Sequence, residues 1–146
     1  LPNISTTFYQ NYYFFSMKNF LNEEYAEVNY NPQANLVEVI WRKNQTSDHY
    51  RQTVKTAYEI ILKYGASKWL SDMRNEGVVS VKDQKWLTEE MMPKAFQAGL
   101  RRVALVVSKD VFVRFYTKNI EQPVNDHFQS KHFDDVENAR KWLSKS

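Results

Sequence analysis

Cysteine is absent from this chain, and glycine occurs at only three positions. The first absence rules out disulfides and any chemistry that uses a thiol, and it fits a reducing, cytoplasmic setting. The second leaves no phosphate-cradling loop, because Gly65, Gly77 and Gly99 stand singly, in turns or at the ends of helical patterns. Long apolar runs are missing too. No stretch approaches the roughly 18–20 residues that a membrane span requires, and the opening "LPNISTTFYQNYYFF" lacks the basic-then-apolar build of a signal peptide. Nor does one sign of charge dominate. Twenty basic residues face 17 acidic ones, with no basic run, so the net +3 gives no reason to expect a nucleic-acid partner.

What is present suits one folded domain. A chain of 146 residues with 42% hydrophobic and 25% charged residues can bury a single core. Aromatics reach 15%, an excess that must be buried, line a pocket or meet a partner.

Periodicity gives the order of elements. "YAEVNYNPQANLVEVIW" reads as two alternating strands around Asn31-Pro32-Gln33-Ala34-Asn35, an antiparallel hairpin that opens the domain. Ser47 is the expected N-cap of a helix carrying Tyr50, Val54, Ala57, Tyr58 and Ile61 on one face and ending at Gly65. A short strand over 68–73 follows. Ser80 and Asp83 then form an acidic variant of the capping box, opening a helix with Trp86, Leu87, Met91 and Phe96. Pro93 predicts a kink or break in it between Thr88 and Pro93. "RRVALVVS" (101–108) is continuously apolar, as in a strand covered on both faces. Ser108 caps the next helix, with Val111, Phe112, Phe115 and Tyr116. A polar strand over 127–133 and a terminal helix over 134–143 complete the chain. The fold class is therefore α/β: a mixed β-sheet starting with an N-terminal hairpin, followed by β/α units, with helices covering the sheet.

The runs "SKWLSDMRNEGVVSVKDQKWL", "GLRRVALVVSKDVF" and "HFDDVENARKWL" together resemble the bacterial STAS/SEC14-type, or SpoIIAA-like, domains. The resemblance covers residues 20–146, leaving 1–19 as an aromatic N-terminal extension. It implies a single non-enzymatic domain that regulates by docking on other proteins, in some members switched by phosphorylation of a Ser. That Ser lies in an Asp-Ser-Ser-Gly-like turn after a central strand. The matching junction here is Asp72-Met73-Arg74-Asn75-Glu76-Gly77, which lacks it. Ser80 lies nearby, at the helix start, as a candidate for modification to which no motif residue corresponds. Lipid-carrying domains of similar architecture imply the alternative, a carrier or sensor with an apolar pocket.

Several residues are candidates for a site. Asp72 and Arg74 are two apart, so on a strand they leave the same face, at the C-terminal edge where open α/β sheets place ligand crevices. The competing explanation is a local ion pair. Ser80 and Ser108 each start a helix behind a strand, and two such helix N-termini could share an anion. Against that, Asp83 and Asp110 already occupy those first turns, and capping accounts for both serines. An apolar pocket would be lined by Trp69, Trp86, Met91, Phe112 and Phe115. The histidines His49, His127 and His132 have no ligand-like spacing, so neither a metal site nor a nucleophile triad is expected, and no cofactor. Glu89 and Glu90 point apart on a helix and make no acid–base pair. Phe8, Tyr9, Tyr12, Tyr13, Phe14 and Phe15 precede the first strand and suggest a homodimer contact.

Overall fold

A computed structural model describes residues 17–43, 45–118 and 128–145, the side chains of 115–118 excepted. A six-stranded sheet runs in chain order, β1 (Lys18–Asn22), β2 (Ala26–Asn31), β3 (Leu36–Trp41), β4 (Lys68–Asp72), β5 (Arg102–Val106) and β6 (Gln129–Phe133). β1/β2 and β2/β3 are antiparallel, whereas β3 through β6 are parallel. Helices α1 (Ser47–Tyr64), α4 (Lys109–Lys118) and α5 (Val136–Ser144) lie between or after the strands. Between β4 and β5, α2 (Val81–Trp86) runs through a π-helical turn (Leu87–Met91) into α3 (Met92–Gln97). The mixed α/β sheet read from the sequence is the observed one.

The hairpin forms where its loop chemistry places it. Asn31 Oδ1 accepts from the backbone N–H groups of Gln33 and Ala34, and Asn35 takes the left-handed conformation. The hairpin does not open the sheet, however. β1 precedes it and pairs with β2 across a bulge between Asn19 and Leu21. Its sequence, KNFLN, is mostly exposed and has no apolar alternation, so periodicity gives no sign of it. Lys18 and Asn19, assigned above to the N-terminal extension, are thus part of the sheet.

Strand alternation divides the core in two. Val37, Val39, Trp41, Trp69 and Val103 face one side, beneath α1 and the α2–α3 segment. Leu36, Leu70, Ala104 and Val106 face the other and meet Ala139 and Leu143 of α5. The aromatic excess is concentrated on the first side. Trp41 stacks on Tyr50 at 5.1 Å between ring centroids, and Tyr50 meets Trp86 edge-on at 6.4 Å.

Helix ends follow local rules with one shift. Thr46, not Ser47, is the N-cap of α1, its hydroxyl accepting from the His49 N–H; Ser47 is thereby freed for a tertiary contact. Gly65 closes α1 with φ +67°, as anticipated. The break near Pro93 is the π-helical turn. Met92 N–H reaches back five residues to the Leu87 carbonyl, and Pro93, lacking an N–H, sits in the first turn of α3.

Candidate functional site

Parallel strands β3, β4 and β5 deliver their following loops to one edge of the sheet, where ligand crevices of such sheets form. At this edge a pocket of about 140 Å³ is lined by Gln45, Ser47, Tyr50, Val78, Val79, Ser80 and Asp83. Its walls are the start of α1, the 73–80 loop after β4, and the first turn of α2.

Asp83 anchors the pocket. It is 3% exposed, and its Oδ1 accepts from Ser47 Oγ at 2.9 Å and from Arg51 Nε at 2.8 Å. Its own N–H donates to Ser80 Oγ at 3.1 Å, the capping bond read from the sequence. The Arg51 hydrogen bond, helped by Ser47 and Ser80, holds the Asp83 carboxyl below the usual carboxylate range despite burial. Arg51 in turn lies over the Trp86 ring at 4.7 Å. One carboxylate therefore locks α1 to α2.

Tyr50 and Glu76 differ from it. Tyr50 is 5% exposed, and among the described residues its hydroxyl has no hydrogen-bond partner. Its pKa is pushed up, first by burial and then by the nearby carboxyls of Glu76 and Asp83. Glu76 is 8% exposed, although Asn75, Gly77 and Val78 beside it are exposed. Burial raises its pKa to about 7. Gly77 takes φ +79°, the left-handed turn that lets the chain bury Glu76 and immediately surface again. Val78 is then 89% exposed, and Val81 just beyond the cap is 68% exposed.

The residues singled out from sequence are only partly gathered here. Asp72 ends β4 with the parity of Leu70, so its side chain leaves toward the α5 side, away from the pocket. Arg74 lies beyond the strand and not on it. Its Nε and Nη2 bind Asp72 Oδ1 and Oδ2 at 2.9 and 2.7 Å, the local ion pair that competed with a site. That bond raises the Arg74 pKa. Ser80 lines the pocket. Ser108 does not, and caps α4 with a long 3.4 Å bond from the Val111 N–H. The serine brought to Ser80 is Ser47.

Trp69, Trp86 and Met91 are packed in the first core cluster, each less than one-tenth exposed, and none borders this pocket. Phe112 is half-buried on α4, whereas the Phe115 side chain lies outside the described residues. So do His127 and the aromatics from Phe8 to Phe15, with the homodimer contact drawn from them. Among the described residues no cluster could hold a metal ion, and no helix is long and apolar enough to cross a membrane. Glu89 and Glu90 are exposed. His49 stacks on Tyr25 at 4.0 Å, and burial pushes the His132 pKa down.

Sequence reading singled out neither Glu76 nor Tyr50 as a site residue. Tyr50 sits at a core spacing of α1 and Glu76 in a polar turn. Nothing in either pattern says that the loop folds its carboxylate inward.

A SpoIIAA-like family model matches residues 36–144, and the chain belongs to that family. Among solved structures it is similar to an uncharacterised protein of the DUF3478 family from Shewanella loihica PV-4 with a SpoIIAA-like fold. The two share 15% identity with a TM-score of 0.51, covering 88% of this chain and 94% of that one. No curated protein matches. The likeness fixes the fold, a STAS-type domain.

Proposed function

We propose that this is a non-enzymatic, protein-docking module of the STAS type, acting through the edge formed by the 73–80 loop and the starts of α1 and α2. The observation that carries this reading is the build of the loop. It presents Val78 almost bare to solvent two residues after the buried Glu76, and Val81, the first residue of α2, is 68% exposed. A valine 89% exposed on a shaped loop beside a polar pocket is what an interface offers, an apolar contact with polar neighbours. The carboxylates Asp72 and Asp83 are each bound to a guanidinium, which favours docking over proton transfer.

The carrier alternative gains less support. Drug-sized ligands usually occupy sites of about 300–1,000 Å³, whereas this pocket is about 140 Å³ and three of the proposed lining aromatics and thioethers are core.

The test is a photo-crosslinking amino acid placed at Val78, with Glu89 as an exposed control, in cells that express the protein. A discrete protein adduct at 78, absent at 89, supports docking. No adduct at 78, together with a small-molecule mass released on denaturation in native mass spectrometry, would overturn it in favour of a carrier.

A further inference from the structure

The second face of the sheet is covered by helix over part of its width. Right-handed crossovers between the parallel strands put α1, the α2–α3 segment and α4 on the first face. α5 packs on β4, β5 and β6, and Arg140 reaches from it to Glu38 on β3. Beyond β3 the face is polar. Glu27, Asn29 and Asn31 alternate along β2 with the core residues Ala26, Val28 and Tyr30, so they point to this side. Asn29 Oδ1 accepts from Asn19 Nδ2 at 2.8 Å, and Asn29 Nδ2 donates to Glu27 Oε1 at 3.0 Å.

On a bare sheet face such residues stand in solvent, as Asn19 and Asn22 do on β1. Asn29 and Asn31 do not. They are 7% and 1% exposed, two strands beyond the last one on which α5 packs. Asn31 also carries a sealed donor. Its Oδ1 accepts from the Gln33 and Ala34 N–H groups, but its Nδ2 has no hydrogen-bond partner. A buried amide left in that state is unfavourable, and folded proteins rarely tolerate one.

The chain outside the described residues joins the sheet at this place. β1 begins with Lys18 opposite Tyr30, which sets residue 17 beside Asn31, with residues 1–16 before it. Phe8, Tyr9, Tyr12, Tyr13, Phe14 and Phe15 fall in that segment, and rings at such density are unfavourable in water. Extended at about 3.3 Å per residue, residues 8–16 span roughly 30 Å, while neighbouring strands lie only ~4.8 Å apart. The segment can therefore reach from the β1 edge over β2 and β3 to α5.

We propose that residues 8–16 of this chain lie across the second face of β2 and β3, alongside α5, with a main-chain carbonyl or tyrosine hydroxyl accepting from Asn31 Nδ2. Tyrosine suits such a floor, being an apolar ring with a hydroxyl that donates and accepts. The link through residue 17 holds the segment at high effective concentration over its own face, ahead of a second copy. The aromatics then serve their own domain, and the face they cover is closed to partners.

The absence of cysteine allows a single spin label, attached at Gln10→Cys in the 15N-labelled full chain. The side-chain amide signals of Asn29 and Asn31 report on the second face; the Trp86 indole and the α1 amides report on the first. Relative to the reduced label, strong loss of the two Asn signals is expected, with far weaker loss at Trp86 and α1. Spin-labelled chain without 15N, mixed into 15N-labelled wild type, should leave every signal intact. Combining Tyr12→Ser, Tyr13→Ser, Phe14→Ser and Phe15→Ser should restore the Asn signals, with signal positions in α1 and α5 unchanged as proof of folding. Asn signals kept in the labelled chain, or loss as strong at Trp86, would overturn the inference. Loss in the mixed sample would overturn it in favour of a second copy, and loss that persists in the serine variant would overturn the role of the rings.

Discussion

Glu38 and Arg140, 102 residues apart, meet in a two-pronged ion pair with Nε–Oε1 at 2.8 Å and Nη2–Oε2 at 2.9 Å. Glu38 is 1% exposed in the middle of β3, and Arg140 reaches it from α5 on the second face of the sheet. The pair fixes where the last helix docks.

Arg140→Ala would leave Glu38 buried without its fork. The expected loss is about 3 kcal/mol, the lower end for a broken buried pair, because Arg140 keeps 29% of its side chain in solvent. Urea unfolding measures it. Arg140→Leu with Glu38→Met should recover most of that loss; a double variant as unstable as the single would refute the account.

Asp83 makes stability sensitive to acid. Its folded pKa is depressed, so its contribution is present above the ordinary carboxylate range and lost as pH falls through the folded value. Thermal midpoints of the wild type should drop steeply on acidification. Asp83→Asn should start lower at neutral pH and show a shallower acid limb. Parallel curves would show that the Arg51 and Ser47 bonds contribute nothing.

Glu76 has the opposite sign. Its folded pKa is raised to about 7, so the protein binds more protons folded than unfolded between about 4.5 and 7. The contribution is therefore full below the unfolded value and lost as pH rises through the folded one. Glu76→Gln should be the more stable protein at pH 8, by at most about 3 kcal/mol, and nearly equal at pH 4. Chemical denaturation at both values decides it.

The two serine caps should differ. Ser80→Ala removes a 3.1 Å cap bond and a neighbour of Asp83, and about 1 kcal/mol is expected. Ser108→Ala removes a 3.4 Å bond and should cost about 0.5 kcal/mol, the low end for a cap. Equal losses would remove the distinction between them.

Arg74→Ala tests the pair that the sequence put forward first. Arg74 is 44% exposed along its side chain, so breaking its bond to Asp72 should change stability by less than about 1 kcal/mol. A loss of several kcal/mol, measured by urea unfolding, would contradict this assignment as an exposed local pair.

The order of hairpin and β/α units, the Gly65 stop, the Ser80 cap and the break before Pro93 were all determined by the sequence itself. Each is local: an alternation, a spacing of 3.6, a left-handed residue or a missing N–H within a few positions of its effect. β1 escaped because an edge strand exposes both polar residues and backbone, and so carries no apolar period. The site escaped for a different reason. Which serine meets Ser80, on which side of the sheet Asp72 leaves, and that Glu76 turns inward while Val78 turns out are set by strand parity and helix packing across distant segments. Only the folded sheet, bringing residues 45–51 against 78–83, decides them.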